Sequence, residues 1–306
     1  MIPTFHVAEM ARGHVTVALS GDGGDEAYAG YTTYSWARSL ARADFVPSAL
    51  RRWLAGSARW MHADHGLGRK LHRLGLEPVD RHLEVMAHFP ARQRAQVLAR
   101  GMREAARRHD PFGAAREIHA AAARKIGALP ALLHLDALTY MTDDVLVKVD
   151  RTSMLNSLEV RAPLLDHVVL EYVARLPFEY KLRGSCSKWL LKEVGRPLLP
   201  PGVLDRPKRG FGPPLERWFG QGFGRLARDV LLDRRCRDRG WLDPAGVERL
   251  LGERETREST RARQLFTLVC LELWAQTWMD RPREELVAPT DGPLPLHPAV
   301  AAAARG

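Results

Sequence analysis

"VALSGDGGDEAYAGY" occupies Val17–Tyr31. An apolar run ends in a serine and is followed at once by glycines and acids. The run itself belongs to "HVTVALS" (His14–Ser20), which is β-branched and apolar, the pattern of a buried parallel strand. Gly21, Gly23 and Gly24 permit positive φ and close approach of a ligand. Ser20 and Gly21 sit at the carboxyl end of that strand, where open α/β sheets bind ligands. Asp22, Asp25 and Glu26 place three carboxylates within five residues. Three anions would repel a phosphate unless a cation came with it, and Mg²⁺ takes carboxylate and phosphate oxygens together. The loop therefore reads as a site for a magnesium nucleotide, with one carboxylate left for proton transfer or substrate binding. The residues alone leave two other readings open: a Gly/Asp turn after a strand, or a Ca²⁺ loop, although the spacing is not that of an EF-hand.

Outward from this loop the chain turns helical. A short helix is expected over 5–12, before the strand. Residues 34–64 and 81–127 mix Trp, Leu and Ala with Arg at helical spacing. Residues 131–158 read as one long helix or two abutting ones. "LLDHVVLEYVARLP" adds another, closed by Pro177, and "SKWLLKEVGRPLLP" a further one, with Ser185 or Ser187 as N-cap and a stop at Pro200–Pro201. "DRPKRGFGPPLERWF" (205–219) starts as a Pro/Gly loop with a basic centre. "RQLFTLVCLELWAQTWMD" (263–280) is apolar nearly all round, so a buried terminal helix is expected. The Pro-, Gly- and Ala-rich stretch 286–306 is expected to be disordered. One strand followed by a helical body implies that the remaining strands of its sheet lie elsewhere, because parallel strands live in sheets covered by helices.

At 306 residues the chain can bury a core as one large domain or two modest ones. Its formal net charge of +10 fits nucleic acid, a membrane surface or an anionic small substrate. Arginines are scattered (Arg51–Arg52, Arg107–Arg108, Arg234–Arg235, Arg261, Arg263) rather than clustered, so they read as solvated helix faces, and charge without a recognised module does not argue for a nucleic-acid site. The three cysteines, Cys186, Cys236 and Cys270, form no CxxC pair or disulfide framework, which makes a reducing compartment the default. His62, His65, His72, His82 and His88 show no tight ligand pattern and read as surface residues rather than a metal site. With no signal layout at the N-terminus and no apolar run of membrane-spanning length, a soluble cytoplasmic protein is expected.

Four ordered blocks carry a more specific reading. "VALSGDGGDEAYAGY", "DDVLVKVDRTSMLNSLEVRAPLLDH" (143–167), "SKWLLKE" (187–193) and "RPKRGFGPPLERWF" (206–219) resemble, in order, segments of the glutamine-hydrolysing asparagine synthetases. The resemblance implies an α/β fold of the adenine-nucleotide alpha-hydrolase kind with a parallel sheet, of which this chain is the mostly α-helical part with one or a few N-terminal strands. It implies activation of the aspartate side-chain carboxylate by ATP with Mg²⁺, giving β-aspartyl-AMP and pyrophosphate, followed by displacement of AMP by ammonia. Ser20, Gly21 and Gly23 are then nucleotide contacts. Asp22 is tied to adenylate formation and proton handling, Asp25 to Mg²⁺, and Glu26 to the orientation of aspartate or the adenylate. Lys188 neutralises phosphate charge as pyrophosphate forms. Lys148, Asp150 and Arg161 are candidate substrate contacts, an internal Arg–Asp bridge being the other reading for them and for Arg151 and Asp166. Lys208 and Arg209 either cover the phosphates or form an exposed basic loop.

The chain departs from the family's pattern in two places. Residue 2 is Ile where the full enzyme has the cysteine that hydrolyses glutamine, and no "SGGxDS" phosphate loop is found. A partial synthetase domain over 1–285 is therefore expected, with a second polypeptide as the source of the missing cradle. The strand Val15–Leu19 is expected to keep an open edge and exposed apolar side chains. Ala27 and Ala29 stand where the family has larger residues, and looser packing is expected there. Two other functions share these features: an amidoligase or cyclase of the same fold acting on another carboxylate, and a non-catalytic remnant or binding module.

Overall fold

A computed structural model describes residues 1–41, 45–57, 71–204, 206, 210, 212–253 and 260–280. The expected disordered tail, Lys208, Arg209, His62 and His65 lie outside these residues. The chain is mostly helical with a few short strands, and it divides into two compact units, Met1–Met86 with Phe112–Pro213, and Ala87–Pro111 with Pro214–Gly306.

In the first unit the helix Ile2–Arg12, with proline in its first turn, leads into β1 (Val17–Leu19). β1 pairs in parallel with β2 (Glu159–Arg161) in the register Val17↔Glu159, Ala18↔Val160 and Leu19↔Arg161. The strand is shorter than its sequence pattern predicts and is not buried: Leu19 is 75% exposed and Val17 39%. A parallel strand is covered on both faces only inside a wider sheet, and among the described residues β1 has a single neighbour. β2 gives β1 its parallel neighbour, in keeping with one or a few strands in a mostly helical chain.

The stretch 131–158 does not run as one helix. Helix Ala128–Leu138 ends at Thr139, whose φ of −125° and ψ of −79° leave the helical region, and a π-helical turn, Met141–Leu146, precedes helix Val147–Met154. Thr139 and Thr142 turn their hydroxyls back onto Leu135 O and Leu138 O, at 2.8 and 3.0 Å, a bond that competes with regular helix geometry. Helix His167–Arg175 is capped by Asp166, which accepts from the Val168 N–H at 2.9 Å. The expected serine cap of the next helix is not made. A two-residue hairpin, β3 (Leu182–Arg183) with β4 (Cys186–Ser187), turning at Gly184 with φ +58°, takes up both serines. Helix Trp189–Gly195 starts instead from Lys188, held at φ +54°. The core of this unit gathers Ala29, Tyr34, Leu132, Leu133 and Leu182. Ala29 is wholly enclosed there. Two of the histidines expected at the surface differ in placement: His72 is half-exposed against Glu84, whereas His82 is 3% exposed and bonded to Asp136.

The second unit packs around helix Arg261–Trp278, from which Leu265, Leu268 and Val269 enter a core shared with Val230 and Val247. This helix is not buried all round, since Leu271, Trp274 and Trp278 stay 39–51% exposed. Its buried Glu272 is paired with Arg239 at 3.0 Å, and Arg239 also bridges Asp280 at 2.7 Å. Helix Pro244–Gly252 begins with proline after Asp243, whose carboxylate accepts from the Gly246 N–H at 3.1 Å. Asp243→Ala is expected to cost about 1 kcal/mol, readable as a lower midpoint in denaturant unfolding with an unchanged slope. All three cysteines are free. No helix of the described residues is long and apolar enough to cross a membrane.

Candidate active site

The acidic loop forms where β1 ends. The Ser20 N–H donates to Arg161 O at 2.8 Å, which continues the ladder to β2 by one residue and fixes the loop's first position. The Ser20 hydroxyl then donates to Asp22 Oδ2 at 2.7 Å, holding that carboxylate over the turn. Gly23 follows with φ +82°, a conformation that favours glycine, and a Cβ built on it would lie 2.1 Å from Leu165 Cδ2 and would have to displace that side chain. The one-turn helix Gly24–Ala27 presents Asp25 and Glu26.

These residues line a cavity of about 720 Å³. Ser20, Gly21, Asp22, Gly23, Asp25 and Glu26 form its strand-end wall. Thr4 and Ala8 of the first helix, Lys148 and Val149 of the helix after the π-turn, Tyr31, Tyr140 and Gly210 complete the lining. The space is of the size taken by small-molecule and cofactor sites. Asp25 is ion-paired with Lys188, Oδ1 to Nζ at 3.0 Å, with both side chains three-quarters or more buried. Lys188 reaches it from a backbone pinned by its own N–H to Tyr28 O at 3.1 Å. Glu26, 3% exposed, accepts the Tyr31 hydroxyl at 2.5 Å. Burial, and then the Glu26 carboxylate, push the Tyr31 phenol far above its usual range, so it stays a donor at every physiological pH. Burial raises the Tyr140 phenol as well, and its ring meets that of Tyr31 edge-on at 5.8 Å.

Fold and chain thus bring together Ser20, Gly21, Asp22, Gly23, Asp25, Glu26 and Lys148, with Lys188 joined through Asp25. Two candidates lie apart from the cavity lining. Asp150 is exposed on the same helix as Lys148, two residues on and so on another face. Arg161 is 65% exposed and bonds Glu159 at 2.7 Å, because residues two apart on a strand project to the same side. Asp166 serves as a helix cap rather than in an Arg–Asp bridge. Tyr31, Tyr140 and Thr4 are lining residues that sequence reasoning did not single out. Tyr31 stands in the quoted motif, whereas Tyr140 and Thr4 come from helices whose approach no local pattern announces.

Among the described residues no group of three or more His, Cys, Asp and Glu side chains is disposed to hold a metal ion. The donor set does fit a cation that arrives on phosphate oxygens, since Mg²⁺ is commonly held by one or two carboxylates while the phosphates and water supply the rest.

The family model described as asparagine synthase matches residues 1–280. The putative glutamine-hydrolysing asparagine synthetase of Mycobacterium tuberculosis (strain ATCC 25618 / H37Rv) is 34% identical over 278 residues, covering 90% of this chain and 41% of the relative. Asparagine synthetase [glutamine-hydrolyzing] 1 of Bacillus subtilis (strain 168) is 28% identical over 278 residues, covering 89% and 42%. Amidase chyE of Penicillium rubens is 26% identical over 100 residues, 31% of this chain. The chain spans about two fifths of the length of the full-span relatives. No solved structure gives a significant match. With a family match that runs through the strand end, the acidic loop, Lys148 and Lys188, the chain belongs to the asparagine synthase family.

Proposed function

We propose that this chain takes part in ATP-dependent amide formation on the side-chain carboxylate of aspartate. The observation that carries the reading is the Asp25–Lys188 pair beside Asp22 and Glu26 at a strand end that walls a 720 Å³ cavity. A carboxylate oxygen of aspartate attacks the α-phosphorus of ATP. The bond from that phosphorus to the bridging oxygen breaks, and pyrophosphate leaves. Ammonia then attacks the acyl carbon of β-aspartyl-AMP, AMP departs with the former carboxylate oxygen, and the amide nitrogen sheds a proton.

The placement of each residue supports the part proposed for it. The backbone of Ser20, Gly21 and Gly23 lets the nucleotide approach closely. Lys188 faces the charge that accumulates on departing pyrophosphate; in a water-poor site a fixed cation gains more in the transition state than in water. Asp25 holds Lys188 in place and would hold the magnesium carried by the triphosphate, which supplies charge neutralisation. Asp22, oriented by the Ser20 hydroxyl, is placed to accept the proton lost from ammonia. Glu26, fixed by Tyr31, orients the aspartate ammonium, and Lys148 offers a cation to its carboxylates. A cytoplasmic setting and a second polypeptide bearing an SGGxDS strand belong to the same proposal; the outer edge of β1, without a neighbour among the described residues, supports that pairing.

The test is pyrophosphate release from MgATP and aspartate with ammonia supplied directly, with the chain alone and with an SGGxDS-bearing polypeptide added. Release that requires aspartate and falls about 100-fold or more in Asp22→Ala supports the reading. Release that ignores aspartate but follows another carboxylate shows an amidoligase of different substrate. No release in either arm leaves a binding role.

A further inference from the structure

Behind Glu26 lies a layer of buried polar side chains that the chemistry above does not use. Tyr31, which donates to Glu26, packs its ring on that of Tyr34 with centroids 5.9 Å apart. Tyr34 is 1% exposed and donates its hydroxyl to Asp136 Oδ2 at 2.5 Å. His82 Nε2 lies 2.8 and 3.0 Å from the two oxygens of the same carboxylate, and the His82 ring stacks on Tyr34 at 5.8 Å and 12°. With the ring hydrogen on Nε2, His82 donates to this carboxylate. Asp136 and His82 are each 3% exposed.

Such a cluster is costly unless every member is bonded, and apolar side chains would fill the same space at less risk. What the cluster does that apolar packing would not is fix angles. Asp136 receives one hydrogen bond from Tyr34 and another from His82, which sets the Tyr34 ring between them. The Tyr31 ring is then confined between Tyr34 and Tyr140, and its hydroxyl meets Glu26 at the cavity wall. We propose that Asp136 is a positioning residue for Glu26: through the hydrogen bond it shares between Tyr34 and His82 it seats Tyr31, and Tyr31 holds the Glu26 carboxylate in place. The proposal rests on the reading of Glu26 as a contact for aspartate.

Asp136→Asn in the full chain is the test, because an uncharged amide accepts through one oxygen only, so the bonds from Tyr34 and His82 lose their charge assistance and must share that oxygen or rearrange. The KM for aspartate should rise about tenfold while kcat stays within about threefold, the signature of lost substrate binding. Tyr34→Phe, which keeps the ring and removes the hydroxyl, should move KM in the same direction by less. A fall in apparent kcat with an unchanged KM for aspartate would mark Asp136 as structural only and overturn the proposal. A second readout needs no turnover. In protein labelled with 3-fluorotyrosine, the Tyr31 fluorine signal, assigned by its loss in Tyr31→Phe, should shift in Asp136→Asn and in Glu26→Gln. A Tyr31 signal that keeps its wild-type position in folded Asp136→Asn, or in Tyr34→Phe should the asparagine variant not fold, refutes the coupling. If the wild-type protein shows no dependence on aspartate, the functional reading fails on its own, and the fluorine signal still decides the positioning.

Discussion

Lys188→Ala should lower aspartate-dependent pyrophosphate release by about 10²- to 10³-fold, the usual loss when one fixed charge or donor is removed from a developing anion. Its Nζ is 3.0 Å from Asp25 and the side chain is only 25% exposed, so neither water nor a neighbouring lysine can replace it in place. Stability should fall as well, because the pair is three-quarters or more buried and the Asp25 carboxylate loses its partner. The backbone offers a way to separate charge from fold. Lys188 adopts φ +54°, a region that glycine enters freely and other residues reach at a cost of roughly 1–2 kcal/mol. Lys188→Gly should therefore lose activity as fully as Lys188→Ala while unfolding at an equal or higher temperature. Thermal unfolding and the pyrophosphate assay on the two variants give the comparison. Activity near wild type in either variant would remove Lys188 from the chemistry.

Gly30→Ala should fail in both fold and site. A Cβ there would sit 2.0 Å from Asp25 Oδ1, 2.3 Å from Lys188 Cε and 2.9 Å from Asp25 Cα. The lysine stem can swing away, but the aspartate backbone cannot, because Asp25 O accepts the Gly30 N–H at 2.7 Å. Relief must come from breaking the Asp25–Lys188 pair and shifting the turn. Overpacking of this kind costs about 1–3 kcal/mol. Pyrophosphate release should drop about as far as in Lys188→Ala, since the same ammonium loses its anchor. Denaturant unfolding followed by the assay under conditions where the variant is fully folded separates the two effects. A folded Gly30→Ala protein with wild-type activity would show that the ion pair need not be held as it is.

Connectivity explains what the sequence makes legible. Asp22, Asp25 and Glu26 lie within one short loop after an apolar run, so their common location follows from the chain itself, as does the need for glycine among them. Helices with a strong period, such as Thr32–Ala41 and Gly113–Ile126, are likewise readable from local spacing. The boundaries fail where a local pattern meets a tertiary demand. The serines before Lys188 resemble an N-cap but are taken into a hairpin, and the run 131–158 breaks at Thr139. Helix Arg261–Trp278 looks apolar on every side, yet Trp274 and Trp278 remain about half exposed because only one face meets a partner.

Sequence alone therefore determined the glycine-acid loop at a strand end, the helical character and, through the four ordered blocks, the family. The tertiary structure decided which distant residues join the loop. Lys188 and Lys148 reach the acids across long stretches of chain, and Tyr34, His82 and Asp136 meet from three separate helices. Arg161 is drawn to Glu159 instead of the cavity because parallel pairing makes that segment a strand. The physical reason is common to all of these. Spacing along a helix or strand sets only which face a side chain shares, whereas a contact between faces depends on packing and loop closure over the whole chain.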